Sequence, residues 1–129
     1  MPMRKDAMFG LARIVAAIED LVSAFAPEAV GTVGEVMVSP NSRNTVPGRV
    51  EFTIDIRHPE EGPLAEMHRE VQALLEKVAE EYELELDARV VSDVPKIDFD
   101  PDCVDAVREA ATELGLPARE ILSGAGHDA

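Results

Sequence analysis

Apolar residues recur at helical spacing near the start of the chain. Between Asp6 and Phe25 they are separated by three or four residues, which places them on one side of a helix. Asp6 is suited to cap the first turn, and Pro27 indicates where the helix ends. The pattern predicts an amphipathic helix with an apolar stripe made of Met8, Leu11, Val15, Ile18, Val22 and Phe25.

The middle of the chain changes to a period of two, which is typical of strands with one buried face. From Val50 to Ile56 apolar residues alternate with charged or polar ones, after a turn signal at Pro47-Gly48. The β-rich stretch from Val33 to Val38 comes before that turn. We expect the two stretches to pair as an antiparallel hairpin with a long connection.

A second helix and a third strand are predicted after the hairpin. Pro63 suits the first turn of a helix, and the expected apolar stripe consists of Leu64, Met67, Val71, Leu74, Val78 and Tyr82. The alternation then returns from Leu84 to Val90. Two helices on one face of an antiparallel sheet would bury each stripe. The sequence therefore predicts an α+β fold, a ferredoxin-like two-layer sandwich that lacks its first strand, which we expect upstream of Met1.

The pattern changes after Asp93, so we expect a first unit over residues 1–93 and a second over residues 94–129. Asp100 and Pro101 are suited to the N-cap and first position of a third helix. Its expected inner face consists of Val104, Val107, Ala111 and Leu114. A short strand at Ile121-Leu122 is expected to follow.

Charge excludes some classes of partner. The chain has 26 acidic residues against 12 basic ones, a formal net charge of -14, so it lacks the basic surface that nucleic acid or an anionic membrane requires. Cys103 is the single cysteine, which rules out an internal disulfide and fits a cytoplasmic protein. We find no apolar run of membrane-spanning length and no signal peptide.

Two segments carry candidate chemistry. Arg57 follows the exposed face of the predicted strand, and Asn44 lies in the loop before it; a guanidinium can bind a carboxylate through two parallel hydrogen bonds. The alternative is that Arg57 pairs with Asp55 or Glu51 and that Asn44 caps a turn. The second segment, residues 123–129, reads Ser-Gly-Ala-Gly-His-Asp-Ala.

The glycines of this second segment allow close approach of a ligand, and its histidine could bind metal, orient substrate or move a proton. The alternative is a solvated glycine turn. His58 is expected to shape the exit of the strand, and Cys103 to have a structural role.

Taken together, Asn44 to Gly48, Asp55 to Pro59 and Ser123 to Ala129 resemble the hydantoinase/carbamoylase family, which includes N-carbamoyl-L-amino acid hydrolases, allantoate amidohydrolases and β-ureidopropionases. The resemblance covers essentially the whole chain. It implies that residues 1–93 are a lid and dimerisation domain. It also implies that residues 94–129 are a helix-strand piece of an α/β catalytic domain and begin the C-terminal part of that domain.

The resemblance also implies an activity for a longer parent enzyme. Two divalent ions, zinc or manganese, would activate a water that attacks a carbamoyl or ureido carbonyl. The residues matching Asn44, Arg57, Gly126 and His127 would bind a small substrate with a carboxylate, and the lid would form a homodimer. Metal ligands and the general base of the family lie in stretches that this sequence does not include. We therefore expect no catalytic residue, no metal ligand and no activity in the isolated chain.

Two other functions remain open. The first is the lid of a related metallopeptidase or aminoacylase. The second is a stand-alone ferredoxin-like module for dimerisation or small-ligand binding. Membership of the enzyme family predicts a His-Ala-Gly stretch upstream and a final histidine downstream in the full reading frame. A stand-alone module requires neither.

Overall fold

The computed structural model describes residues 4–123, which contain three helices and one two-stranded antiparallel sheet. In chain order the elements are α1 (Ala7–Ala24), β1 (Val30–Ser39), β2 (Arg49–Arg57), α2 (Glu61–Glu81) and α3 (Pro101–Glu113). The chain divides into two compact units, Met1–Ser92 and Asp93–Ala129. The first unit holds the sheet with α1 and α2, and the second holds α3.

Asp6 caps α1, as the sequence predicts. Its carboxylate accepts hydrogen bonds from the backbone N–H groups of Met8 (3.1 Å) and Phe9 (3.3 Å), two donors that have no partner within the helix. Arg4 Nε donates to the same side chain at 3.0 Å. Burial raises the pKa of Asp6, but the hydrogen bonds from Arg4 and the backbone outweigh it and hold the pKa below its usual value of 3.8.

In the first unit α1 and α2 lie on one face of the sheet, so the predicted α+β two-layer arrangement is confirmed. On β2, residues 50, 52, 54 and 56 turn toward the helices and are half-buried, while residues 51, 53, 55 and 57 are exposed. The core between the layers is apolar. It consists of Ile14, Ile18, Val71, Leu75 and Val78, with Leu21, Val22, Val33, Phe52, Ile54, Ile56, Leu74 and Tyr82 packed around it.

The buried faces of both helices differ slightly from the predicted stripes. In α1 the buried position is Ile14, and Val15 is 43% exposed. In α2 it is Leu75, and Leu74 is only partly buried. In each pair both neighbours are apolar, so periodicity alone does not decide between them. Tertiary packing decides which of the two residues turns inward, because α1 packs against α2 as well as against the sheet.

The hairpin forms as expected, with longer strands than the pattern indicates. Val30 lies opposite Arg57 at one end, and Ser39 lies opposite Arg49 at the other. The register shifts between Val33 and Val36, where β1 carries a bulge. There the N–H of Glu35 donates to the hydroxyl of Thr53 at 3.0 Å.

The predicted third strand is wrong for the described chain. Residues 84–90 have no regular secondary structure, although Leu84 packs near α1, where its Cδ1 would lie 2.6 Å from a Cβ added at Gly10. A strand exists through hydrogen bonds to a neighbouring strand. Among residues 4–123 the sheet contains only β1 and β2, and neither pairs with this segment.

The second unit contains the third helix but neither the predicted inner face nor the predicted strand. Asp100 caps α3, accepting from the N–H groups of Asp102 (2.8 Å) and Cys103 (3.3 Å), and Gly115 ends it with a φ of +67°. No residue of α3 is buried, and Val107 and Leu114 are more than 70% exposed. Ile121 and Leu122 are irregular because the described residues give them no strand to pair with.

Candidate substrate-binding site

Arg57 is the last residue of β2, on the sheet face that points away from the helices. Its position follows from the alternation of the strand, in which the odd-numbered residues from 49 to 57 are exposed. The side chain is 55% exposed, and that of Asp55, two residues earlier on the same face, is 54% exposed. Solvent and small molecules can therefore reach this end of the sheet face.

Arg57 and Asp55 form a bidentate ion pair. Arg57 Nε donates to Asp55 Oδ1 at 2.8 Å, and Nη2 donates to Oδ2 at 2.7 Å. The hydrogen bonds from Arg57 lower the pKa of Asp55, partly offset by burial and helped by the positive charge. The same hydrogen bonds, together with the charge of Asp55, raise the pKa of Arg57. The alternative interpretation predicted a contact between Arg57 and Asp55 on the sheet surface, and that contact is confirmed.

Asn44 lies in the loop that connects β1 to β2, and it is exposed. Its side-chain oxygen accepts a hydrogen bond from Ser42 Oγ at 3.0 Å, a contact within the turn. The loop is closed by the N–H of Gly48, which donates to the carbonyl of Ser39 at 3.1 Å. It is attached to the start of α1 by the N–H of Ala7, which donates to the carbonyl of Pro47 at 3.1 Å.

Asn44 and Arg57 lie at opposite ends of the hairpin. At one end of the hairpin Ser39 of β1 lies opposite Arg49 of β2, and the loop with Asn44 joins the two strands there. At the other end Arg57 lies opposite Val30. A nine-residue strand separates them, which corresponds to about 27 Å at the usual rise per residue. The fold therefore does not bring the two predicted carboxylate-binding residues together within one copy of the chain.

An apolar groove of about 320 Å³ lies between α1 and β1. It is lined by Val15, Ile18, Glu19, Val22, Ser23, Gly31 and Val33. The helix approaches the strand closely at Gly31, where an added Cβ would lie 2.3 Å from Cγ2 of Val22. The sequence pattern did not predict this groove, because Val15 was expected on the buried stripe of α1. The signal for it was the adjacent pair Ile14 and Val15, of which only one can turn inward.

His58 connects the end of β2 to the start of α2, which agrees with the expectation that it shapes the strand exit. The N–H of Glu60 donates to His58 Nδ1 at 3.0 Å. Glu60 is the N-cap residue of α2 and makes no capping hydrogen bond with its own side chain. The imidazole therefore holds the turn that directly follows Arg57.

The structure gives no position for the other two predicted substrate-binding residues. Gly126 and His127 lie outside the described residues. Within residues 4–123 no group of three or more His, Cys, Asp or Glu side chains could hold a metal ion. In the same range no helix has both the length and the apolar character needed to cross a membrane.

Comparison with known proteins identifies relatives of the whole chain. The family model for the peptidase dimerisation domain matches residues 2–83. An N-carbamoyl-L-amino-acid amidohydrolase from Rhizobium meliloti is 40% identical over 129 residues, which is 100% of this chain and 31% of the relative. An allantoate amidohydrolase from Bacillus subtilis is 33% identical over 133 residues, with the same shares covered.

The solved structures agree with these relatives. An amidase of the hydantoinase/carbamoylase family from Burkholderia vietnamiensis matches with a TM-score of 0.95 and 41% identity, covering 99% of this chain and 31% of that one. The chain thus spans about 31% of the length of the proteins it matches. It belongs to the peptidase dimerisation domain family, and its resemblance to hydantoinase/carbamoylase amidases, expected from three sequence motifs, is confirmed.

Proposed function

We propose that the chain is the lid and dimerisation part, with the first substrate loop, of a metal-dependent amidohydrolase that cleaves non-peptide C–N bonds. The substrates would be carbamoyl or ureido acids such as N-carbamoyl-L-amino acids, allantoate or ureidopropionate. The names of the relatives support this reaction class. The observation that carries the proposal is Arg57, a half-exposed guanidinium at the end of the open sheet face, where it can bind the substrate carboxylate.

The distance between Asn44 and Arg57 gives the proposal a specific form. If both residues bind one substrate, they come from two different copies of the chain. A twofold dimer in which the β1 edges pair antiparallel would set the Val30 end of one copy beside the Ser39 end of the other. The Asn44 loop of the second copy would then lie about one strand spacing beyond β1, near Arg57 of the first.

The β1 edge suits this pairing. Among the described residues β1 pairs with β2 on one side only. The groove next to it is lined by residues of α1 and β1 and by none of β2 or α2, and its lining includes Val15, which is 43% exposed. A second copy would cover both the unpaired backbone groups and this apolar surface. The match to a dimerisation domain supports the same assignment.

The proposed reaction uses two zinc or manganese ions, and we propose that their ligands lie in other parts of the full protein. When bound elsewhere in the full protein, they would supply the activated water. Gly126 and His127 are proposed to contribute a substrate loop, and the isolated 129-residue chain is proposed to be inactive.

A close alternative is the lid of a metallopeptidase or aminoacylase, because the matched family model is named for peptidases. The substrates that the full protein hydrolyses distinguish the two functions. The full reading frame should be assayed with manganese or zinc on N-carbamoyl amino acids, allantoate and ureidopropionate, and in parallel on dipeptides and N-acyl amino acids. Ammonia release from carbamoyl or ureido acids supports the proposal; turnover of peptides alone supports the alternative. No turnover of any substrate favours a binding or dimerisation module.

Subunit mixing tests the site across two copies. Arg57→Ala and Asn44→Ala proteins are each expected to be weakly active. A heterodimer of the two has one site in which both residues are intact, so unfolding and refolding a 1:1 mixture should restore about a quarter of wild-type activity. A mixture no more active than the average of its components would show that one copy supplies both residues. Refolded wild type is the control for recovery.

A further inference from the structure

The ion pair between Asp55 and Arg57 has a geometry that suggests more than surface packing. Asp55 takes the side of the guanidinium that carries Nε, through two hydrogen bonds of 2.8 and 2.7 Å. Both residues belong to one strand and share one face, at positions i and i+2. The backbone of β2 therefore fixes the position of the carboxylate, and the carboxylate fixes the plane of the guanidinium.

A second pair on the same face provides a comparison. Arg49 and Glu51 have the same spacing at the other end of β2, and Arg49 Nε lies 2.9 Å from Glu51 Oε1. In that pair the arginine precedes the acid, and the longer glutamate side chain has one more rotatable bond. In the other pair the shorter aspartate lies toward the middle of the strand.

We infer that Asp55 is a positioning residue, which holds the guanidinium of Arg57 by its Nε side so that a substrate carboxylate meets the edge formed by Nη1 and Nη2. This inference rests on the proposed function, in which Arg57 binds that carboxylate. The lowered pKa of Asp55 agrees with it, because a carboxylate that stays ionised keeps the guanidinium oriented through the neutral pH range.

The opposite possibility is that Asp55 competes with the substrate. Its negative charge partly neutralises Arg57 and repels an anion, so that removing it would tighten binding. The two possibilities predict opposite changes in KM. A positioned arginine loses less side-chain freedom when it binds substrate, and the rotamer entropy of arginine limits this benefit to about 30-fold.

The test uses the full-length protein with a carbamoyl or ureido acid as substrate. We expect Asp55→Ala to raise KM about tenfold with kcat changed less than about twofold, since an orienting contact is lost while the chemistry is not touched. Asp55→Asn keeps an oxygen that can accept from Nε, and it should recover part of the loss. Glu51→Gln, in the matched pair, should leave KM unchanged. An unchanged or lowered KM in Asp55→Ala would overturn the inference.

Two further measurements separate this inference from the proposed function. Arg57→Ala must raise KM more than Asp55→Ala does; if Arg57→Ala has no effect, the carboxylate role of Arg57 has failed, not only its positioning. Independently of activity, the Nε–H signal of Arg57 in nitrogen-edited NMR should exchange with water more slowly than that of Arg49, and Asp55→Ala should abolish the difference. Equal exchange in the wild-type protein would also overturn the inference.

Discussion

Gly31→Ala tests the close approach of α1 to β1. An added Cβ would lie 2.3 Å from Cγ2 of Val22, a branched side chain that cannot move far within the helix. Forcing a methyl group into such a space costs about 1–3 kcal/mol. Alanine also restricts the unfolded chain, which offsets about 0.4–1 kcal/mol. We expect a net loss of about 1–2 kcal/mol in the free energy of unfolding, measured by urea denaturation.

A double-mutant cycle shows whether the contact itself is the cause. Val22→Ala removes the atom that the added methyl group would meet, so the double variant should be more stable than the sum of the single changes, by about 1 kcal/mol. Gly48→Ala is the matched control, since a Cβ there meets nothing within 4 Å, and its stability should match or slightly exceed the wild type. If Gly31→Ala is as stable as Gly48→Ala, α1 does not approach β1 as described.

Three other changes test the rest of the first unit. Met67 is fully buried at 0% exposure, so Met67→Ala should lower the free energy of unfolding by about 2–5 kcal/mol in the same denaturation assay, whereas Val15→Ala on the exposed side of α1 should change it far less. Asp6→Ala removes the cap of α1 and should cost about 1 kcal/mol, while Asp6→Asn, which keeps an acceptor, should cost less. The pKa of Asp6 in the folded state lies below 3.8, so the stability that the ionised carboxylate contributes is complete above that pH and is lost as the pH falls through the lower folded value. The loss of stability on acidification below pH 3.8 should therefore be smaller in Asp6→Asn than in the wild type. An identical acid profile of the two proteins would contradict the lowered pKa.

The sequence predicted most of the first unit because each element there has a clear period. The apolar alternation from Val50 to Ile56 matches β2, and the caps Asp6 and Asp100 match the starts of α1 and α3. Residues 84–90 have an equally regular alternation but do not form a strand. The two segments differ in whether a neighbouring strand pairs with them among the described residues. Alternation indicates which residues lie on each face of a strand, but it does not indicate what pairs with the edge of that strand.

The sequence placed Asn44 in the loop of the hairpin and Arg57 at the end of its second strand, but it did not indicate how far apart the two residues lie. Asn44 and Arg57 are close in sequence, which suggests that they act together. Arg57, however, is the last of nine consecutive residues that form the extended strand β2, and Asn44 lies before the first of them. Extended backbone separates residues faster than any other regular structure. The motif therefore identifies the two ends of a hairpin, and only the fold shows that one copy of the chain does not bring Asn44 and Arg57 together.

The bulge in β1 changes how its sequence should be compared with that of relatives. Before it, Thr32 faces away from the helices with Asp55; after it, Met37 does so with Glu51, so the outward positions change from even to odd numbers. The one extra residue at positions 34–35 thus shifts the alternation of inward and outward side chains by one position, and it keeps Val33 and Val36 on the same side of the sheet. An alignment that places a one-residue gap anywhere else in this strand would exchange the inner and outer residues of half its length.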